Sequence, residues 1–264
     1  MIEYVHRVFS KRRAGVLLPI TALPDSENKT SEQGDFGQAY RFIDFLAEAG
    51  FSVWQLLPLG PTHWDHSPYQ CLSAHAGNPQ LISLQGLQQQ GYLPKQGLKE
   101  NVTLEKKQNY LTQAFHYFKK TTPSDQYFYF VKQHQHWLNN YALFMTIRAS
   151  QGNCHWMYWE TKLRDRNSKA LESVKKSLSQ TIEKIQFEQF IFYQQWQSIK
   201  SYAHQKNIFL VGDMPLFVAY DSTDVWSYPE AFMVDAEGRA EIVTGVPPDC
   251  FSDNGQRWGN PQYR

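Results

Sequence analysis

Asp213 follows the apolar run Ile208–Val211 with one glycine between, in the stretch FLVGDMP. In parallel α/β folds, ligands bind at the carboxyl ends of the strands. A carboxylate at such a place is hard to explain as packing, because a buried charge needs a partner. Asp213 therefore reads as a ligand-facing group; the plainer alternative is an aspartate that caps the following loop or pairs with an arginine. The closing stretch GVPPDCFSDNGQRWGNPQYR combines a carboxylate, Asp249, with an indole, Trp258, and an amide, Asn260. That set suits sugar. The ring stacks on the apolar face of a pyranose, and the carboxylate and amide take hydroxyls. The alternative is a packed loop with Trp258 as its plug. In HSPYQ, Ser67 and Tyr69 offer a hydroxyl and a ring, or else form a proline-fixed turn with a half-buried tyrosine. Glycoside chemistry takes two carboxylates, roughly 5–5.5 Å apart in retaining enzymes and farther in inverting ones. Asp213, Asp249 and Asp253 are available, but their spacing assigns no roles. His63, Asp65 and His66 form an H-x-x-H pair without a third nearby ligand or a helical setting, so no metal site is read there. His134 and His136 fall on different faces of a helical stretch and read as surface or packing residues.

Strands and helices must hold these groups. GVLLPI (15–20) is a short apolar run flanked by Gly and Pro, as in a buried strand. AYRFIDFLAEAG carries a helical stripe of Tyr40, Phe42, Ile43, Phe45, Leu46 and Ala49, with Gly50 where a helix would stop. FSVWQLLPLG (51–60) is a second buried strand. Strand, helix and strand at this spacing form a βαβ unit with a parallel pair. A dense loop bearing Ser67 and Tyr69 follows. From about 100 to 206 the pattern is helical, with a long charged segment from about Ser168 carrying Leu171, Val174, Leu178, Ile182 and Ile185 on one stripe. IFLVGDMPLFV (208–218) returns to strand. Phe232–Val234 and Glu241–Val243 are expected to form a hairpin around Asp235–Gly238. The Pro- and Gly-rich closing stretch is expected to be a long loop.

With 264 residues the chain can bury a sizeable core, and an α/β barrel alone takes about 250. Its 26 basic and 25 acidic residues leave a net charge of +1, which gives no support for nucleic acid or an anionic membrane as partner. Charged residues make up 19% and aromatics 15%, a balance that suits contact with flat neutral ligands or, more plainly, an aromatic core. Cys71, Cys154 and Cys250 are far apart with no C-x-x-C, so neither a disulfide framework nor a zinc site is expected. Neither a signal peptide nor a membrane span is read, and a cytoplasmic location is expected.

The motifs GDFG, FLAEAGFSVWQLLPLGPT, SPYQ, SAHAGNP, VGDMPLFVAYDSTDVWSYPEAF and GVPPDCFSDNGQRWGNPQY run in order from about residue 15 to the end. They resemble the N-terminal part of the amylomaltases, bacterial 4-α-glucanotransferases also called disproportionating enzymes. Residues 95–190 match only in helical character. The resemblance implies an α/β fold: a (β/α)8 TIM barrel, incomplete here and limited to its first strands, with a large helical insertion. Residues 1–95 would supply the first strands and loops, 96–206 the insertion, and 207–264 the third strand, a hairpin and a substrate lid. It implies transfer of an α-1,4-glucan segment between malto-oligosaccharides by a retaining double displacement, without cofactor or metal. Tyr69 and Ser67 match a groove aromatic and its neighbour, Asp213 a site-shaping carboxylate, and Asp249, Trp258 and Asn260 the mobile lid. By the same resemblance the nucleophile, the acid/base and the second Asp lie beyond Arg264. The chain is therefore expected to be an inactive fragment of a longer protein. The alternatives are a stand-alone glucan-binding module and an interaction protein built on the helical block.

Overall fold

The computed structural model describes residues 10–24, 33–95, 98, 102–121 and 124–264. In chain order its main elements are β1 (Gly15–Leu17), α1 (Phe36–Glu48), β2 (Val53–Gln55), α2 (Leu84–Gln89), α3 (Leu104–Lys120), α4 (Asp125–Ser150), α5 (Thr161–Arg164), α6 (Ser168–Ser177), α7 (Ser179–Gln205), β3 (Phe209–Val211), α8 (Thr223–Ser227), β4 (Val243–Val246) and β5 (Gln256–Pro261). They fall into two compact units. The first draws its described residues from Met1–Leu59, Asn78–Ser124 and Glu188–Met214, the second from Gly60–Gly77, Asp125–Phe187 and Pro215–Arg264.

The first unit holds the expected parallel sheet, in the order β1-β2-β3, with Val16 opposite Trp54 and Trp54 opposite Leu210. Helix α1 starts where the sequence can cap it. The Asp35 carboxylate accepts from Gly37 N at 2.8 Å, and Gln38 Oε1 accepts from Asp35 N at 2.7 Å, a capping box. It stops at Gly50, whose φ of 79° is a left-handed conformation that suits glycine. Between those signals Phe36, Ala39, Ile43 and Leu46 are buried. Phe42 meets the Trp54 ring edge-on, with centroids 4.9 Å apart, and Trp54 Nε1 donates to Leu18 O at 2.8 Å.

The strands are shorter and more open than their apolar runs imply. Trp54 alone among their residues is fully buried, and Leu17 is 55% exposed. A three-stranded sheet gives each outer strand one neighbour, so the expectation of buried strands holds only at the centre of β2. Polar pairs fasten the helices of this unit. Lys107 Nζ lies 2.7 Å from Asp35 Oδ2 in a buried ion pair. Gln195 makes two hydrogen bonds to the Ser83 backbone, accepting from its N–H at 2.7 Å and donating to its carbonyl at 3.1 Å.

The second unit is centred on aromatic rings. Phe144 of α4 packs against Trp159 and Trp226, with centroids 5.2 and 5.7 Å apart. Leu72, Leu143, Ile147, Trp156, Leu163, Leu171, Val225, Phe232 and Val234 complete the buried cluster. Trp226 Nε1 donates to Leu163 O at 3.2 Å, and Arg166 lies 4.1 Å over the Trp226 ring.

Three expectations are corrected here. The charged stripe from Ser168 is not one helix: α6 ends at Ser177, and Leu178 adopts φ −118°, ψ 27° before α7 begins. The Ser177 hydroxyl donates to Ser173 O at 2.9 Å, the kind of local bond that competes with the helical ladder. The hairpin expected over 232–243 is reduced to a turn with one bridge, Val234 opposite Ala240. Val243 instead opens β4, which pairs antiparallel with β5. The closing stretch is therefore not one long loop, because residues 256–261 form a strand. Among the described residues no helix is long and apolar enough to cross a membrane.

Candidate functional site

Residues 60–77 form a loop pinched at its base. Thr62 bridges Cys71, and Leu72 N donates to Pro61 O at 2.8 Å. Inside the pinch the chain turns on His66 (φ 56°), Asp65 Oδ1 accepts from Ser67 N at 3.1 Å, and Gln70 N donates to Ser67 O at 3.2 Å. These short-range bonds leave Ser67 half-buried and Tyr69 45% exposed. Beyond the pinch, Thr223 N donates to Leu72 O at 2.9 Å and Ala74 N to Asp224 Oδ2 at 2.9 Å. Both contacts tie the loop to α8.

The connection between β4 and β5 carries Asp249. Its Oδ1 accepts from Phe251 N and Ser252 N, both at 2.9 Å, so this exposed carboxylate shapes its own turn. Phe251 beside it is 89% exposed. Gly255 returns the chain with φ 71°. Trp258 on β5 is 47% exposed, and its Nε1 donates to Gln256 Oε1 at 3.1 Å. Asn260, two residues on, is only 4% exposed. Its Nδ2 donates to Val218 O at 2.8 Å, and its Oδ1 accepts from Gln70 Nε2 at 3.2 Å and from Thr244 Oγ1 at 3.4 Å. The Gln70 bond joins the Tyr69 loop to the Trp258 strand.

Asp213 belongs to the first unit, two residues past the end of β3. It is half-buried, and Met214 after it is exposed. Ser67, Tyr69, Asp249, Trp258 and Asn260 all belong to the second.

A charged centre that the sequence did not announce lies in the second unit. Asp221 Oδ2 is 3.2 Å from Arg148 Nη2, and its Oδ1 accepts from Trp156 N at 3.1 Å. Two imidazoles flank it, with His63 Nδ1 3.7 Å and His155 Nδ1 3.9 Å away. His155 Nδ1 accepts from Met157 N at 3.2 Å, so that nitrogen carries no proton to offer Asp221. Burial holds both imidazoles below their ordinary value of 6.5, and Asp221 only partly opposes it. Asp221 sits outside every regular element and its partners come from distant stretches, so no local pattern marks it. The same unit has a cleft of about 460 Å³ lined by Trp156, Arg166, Trp226, Glu230, Asp235 and Arg264 among others. None of the expected site residues lines it. Its arginines already serve the fold: Arg166 bonds Ser227 and Asn140, and Arg264 bonds the carbonyls of Phe232 and Val234.

A family model described as 4-alpha-glucanotransferase, glycoside hydrolase 77, matches residues 18–264. The chain belongs to this family. It is 42% identical to the 4-alpha-glucanotransferase of Thermus thermophilus over 264 residues, 96% of this chain and 52% of the relative. It is 36% identical to the chloroplastic/amyloplastic 4-alpha-glucanotransferase of Solanum tuberosum, over 96% of this chain and 46% of the relative. Among solved structures it is similar to the amylomaltase of Streptococcus agalactiae in complex with acarbose, at 37% identity and a TM-score of 0.88, covering 96% of this chain and 53% of that one. The Corynebacterium glutamicum amylomaltase, at 16% identity and a TM-score of 0.68, shares the fold. The chain thus spans about half the length of these family relatives.

Proposed function

We propose that this chain is the glucan-binding part of a 4-α-glucanotransferase. The observation that carries the reading is the family match across residues 18–264. The geometry supports it through Tyr69 and Trp258, two half-exposed rings of the second unit on elements joined by a hydrogen bond. Such rings stack on the apolar faces of pyranoses while nearby polar groups take hydroxyls. In this reading Tyr69, Ser67, Asp249 and Trp258 contact an α-1,4-glucan, and Asp213 orients the sugar at the bond to be broken. Asn260 serves by holding the strand that carries Trp258.

The fold proposed is the opening part of a (β/α)8 barrel. Residues 1–95 give its first strands and loops, 96–206 a helical insertion, and 207–264 the third strand and the lid. The reaction proposed is a retaining transfer. A carboxylate displaces the sugar at the anomeric carbon while a carboxylic acid gives its proton to the departing oxygen; the acceptor hydroxyl then displaces the carboxylate and returns the proton. The nucleophile and the acid/base are groups outside this chain. Titration calorimetry with maltoheptaose tests the binding half. The chain should bind, and Tyr69→Ala and Trp258→Ala should each weaken binding roughly fivefold, as the loss of about 1 kcal/mol of ring stacking implies. A folded chain that gives no heat with maltoheptaose refutes the proposal.

A further inference from the structure

We infer that Gln70 and Asn260 form a clamp that sets the position of Tyr69 relative to Trp258, and that Gln70 is a positioning residue for the glucan. The inference rests on the proposed role of those two rings. Gln70 and Asn260 are 190 positions apart, yet Gln70 Nε2 donates to Asn260 Oδ1 at 3.2 Å. Asn260 is itself immobilised. Its Nδ2 donates to Val218 O at 2.8 Å, its Oδ1 also accepts from Thr244 Oγ1 at 3.4 Å, and its side chain is buried at the end of β5. The donation to a backbone carbonyl fixes which end of the amide faces Gln70, because a carbonyl accepts only from the NH2 group. Each partner is adjacent to a ring. Gln70 follows Tyr69 directly, and Asn260 lies two residues after Trp258 on β5, across Gly259.

Two further bonds of the loop are local. Asp65 to Ser67 and Ser67 to Gln70 shape the turn but fasten it to nothing outside the loop. The pinch at Thr62 and Cys71 fixes the base of the loop, not its tip. The Gln70 amide ties the tip to β5. Removing it should let residues 66–70 move on their pinched base while the aromatic core stays folded.

Hydrogen–deuterium exchange and maltoheptaose calorimetry on the 264-residue chain test this. Gln70→Ala should speed amide exchange at least tenfold in peptides spanning 66–71 and leave α4 and α8 unchanged. It should weaken maltoheptaose binding about fivefold, the effect of one net hydrogen bond. Gln70→Glu keeps the shape but cannot donate to Asn260 Oδ1, so it should reproduce both effects and separate the lost bond from lost packing. Unchanged exchange at 66–71 in both variants overturns the clamp. Faster exchange with unchanged affinity overturns its role in glucan binding. If the wild-type chain binds no maltoheptaose, the functional reading fails, while the exchange result still decides whether the clamp exists.

Discussion

His63 and His155 stand on either side of Asp221, and burial outweighs that carboxylate in setting their charge. The charged and titratable groups facing His63 are Asp221, Asp65, Arg148 and His155. Two of these attract a proton and two repel it, so desolvation decides. The consequence for stability has a definite sign. A histidine whose folded value lies below 6.5 leaves the folded chain with fewer bound protons than the unfolded chain once the pH falls under 6.5. Stability is then flat above that pH and declines below it, by at most about 1.4 kcal/mol per pH unit for each such histidine. His63→Gln removes one of the two contributions. Thermal unfolding between pH 7.0 and 5.0 should show a smaller drop in Tm for His63→Gln than for the wild type. Equal drops would mean that His63 titrates alike in both states. His63 and Tyr69 share the loop 60–77.

The strand pair β4–β5 shows how an element can depend on one missing side chain. A Cβ on Gly245 would stand 2.4 Å from Gln256 O, a backbone atom that pairing with β5 holds in place. Gly245→Ala should therefore lower stability by about 1–3 kcal/mol, the usual cost of overpacking. Gly212→Ala is the control, because a Cβ there meets nothing within 4 Å. Urea midpoints for the two variants decide the matter, and equal midpoints would show that the β4–β5 pairing yields easily. The same pair marks what sequence could and could not disclose. Helix α1 was legible because its signals are local: an apolar stripe, and Gly50 where the helix stops. The three parallel strands were legible as apolar runs, though their length and burial were not, since both depend on how many neighbours the sheet supplies. The partner of Val243 was misjudged because the nearby turn at Asp235–Gly238 offered a shorter-range pairing than the one the chain adopts. In the candidate site Tyr69 and Trp258 could be named from residue type. The Gln70–Asn260 and Arg148–Asp221 contacts could not, because nothing near either residue points to a partner so distant in sequence.

At the scale of the whole chain, the question is whether binding groups alone can move a glucan segment. Retaining transfer takes two carboxyl groups roughly 5–5.5 Å apart, one as nucleophile and one as acid and base. The described acidic groups at element ends and turns are largely occupied with the fold. Asp35 holds Lys107, and Asp44 accepts from Tyr202 and pairs with Lys206. Asp221 holds Arg148, Asp224 accepts from Ala74, and Asp235 accepts from Arg239. Asp249 bonds twice within its own turn. Asp213, two residues past β3, is proposed to orient the sugar, and a double displacement takes two carboxyl groups besides it. Relatives about twice as long have room for the others, since this chain spans 52% of the Thermus thermophilus enzyme. The 264-residue chain should therefore bind maltoheptaose without releasing glucose from maltotriose. A coupled glucose assay on the purified chain checks this, with the calorimetric titration run on the same preparation to show that the site is formed. Glucose release that scales with the amount of chain and survives Asp213→Asn would place a complete catalytic pair among the residues assigned here to the fold. Release that Asp213→Asn abolishes would also place a complete catalytic pair in this chain, with Asp213 either orienting the sugar for it or belonging to it.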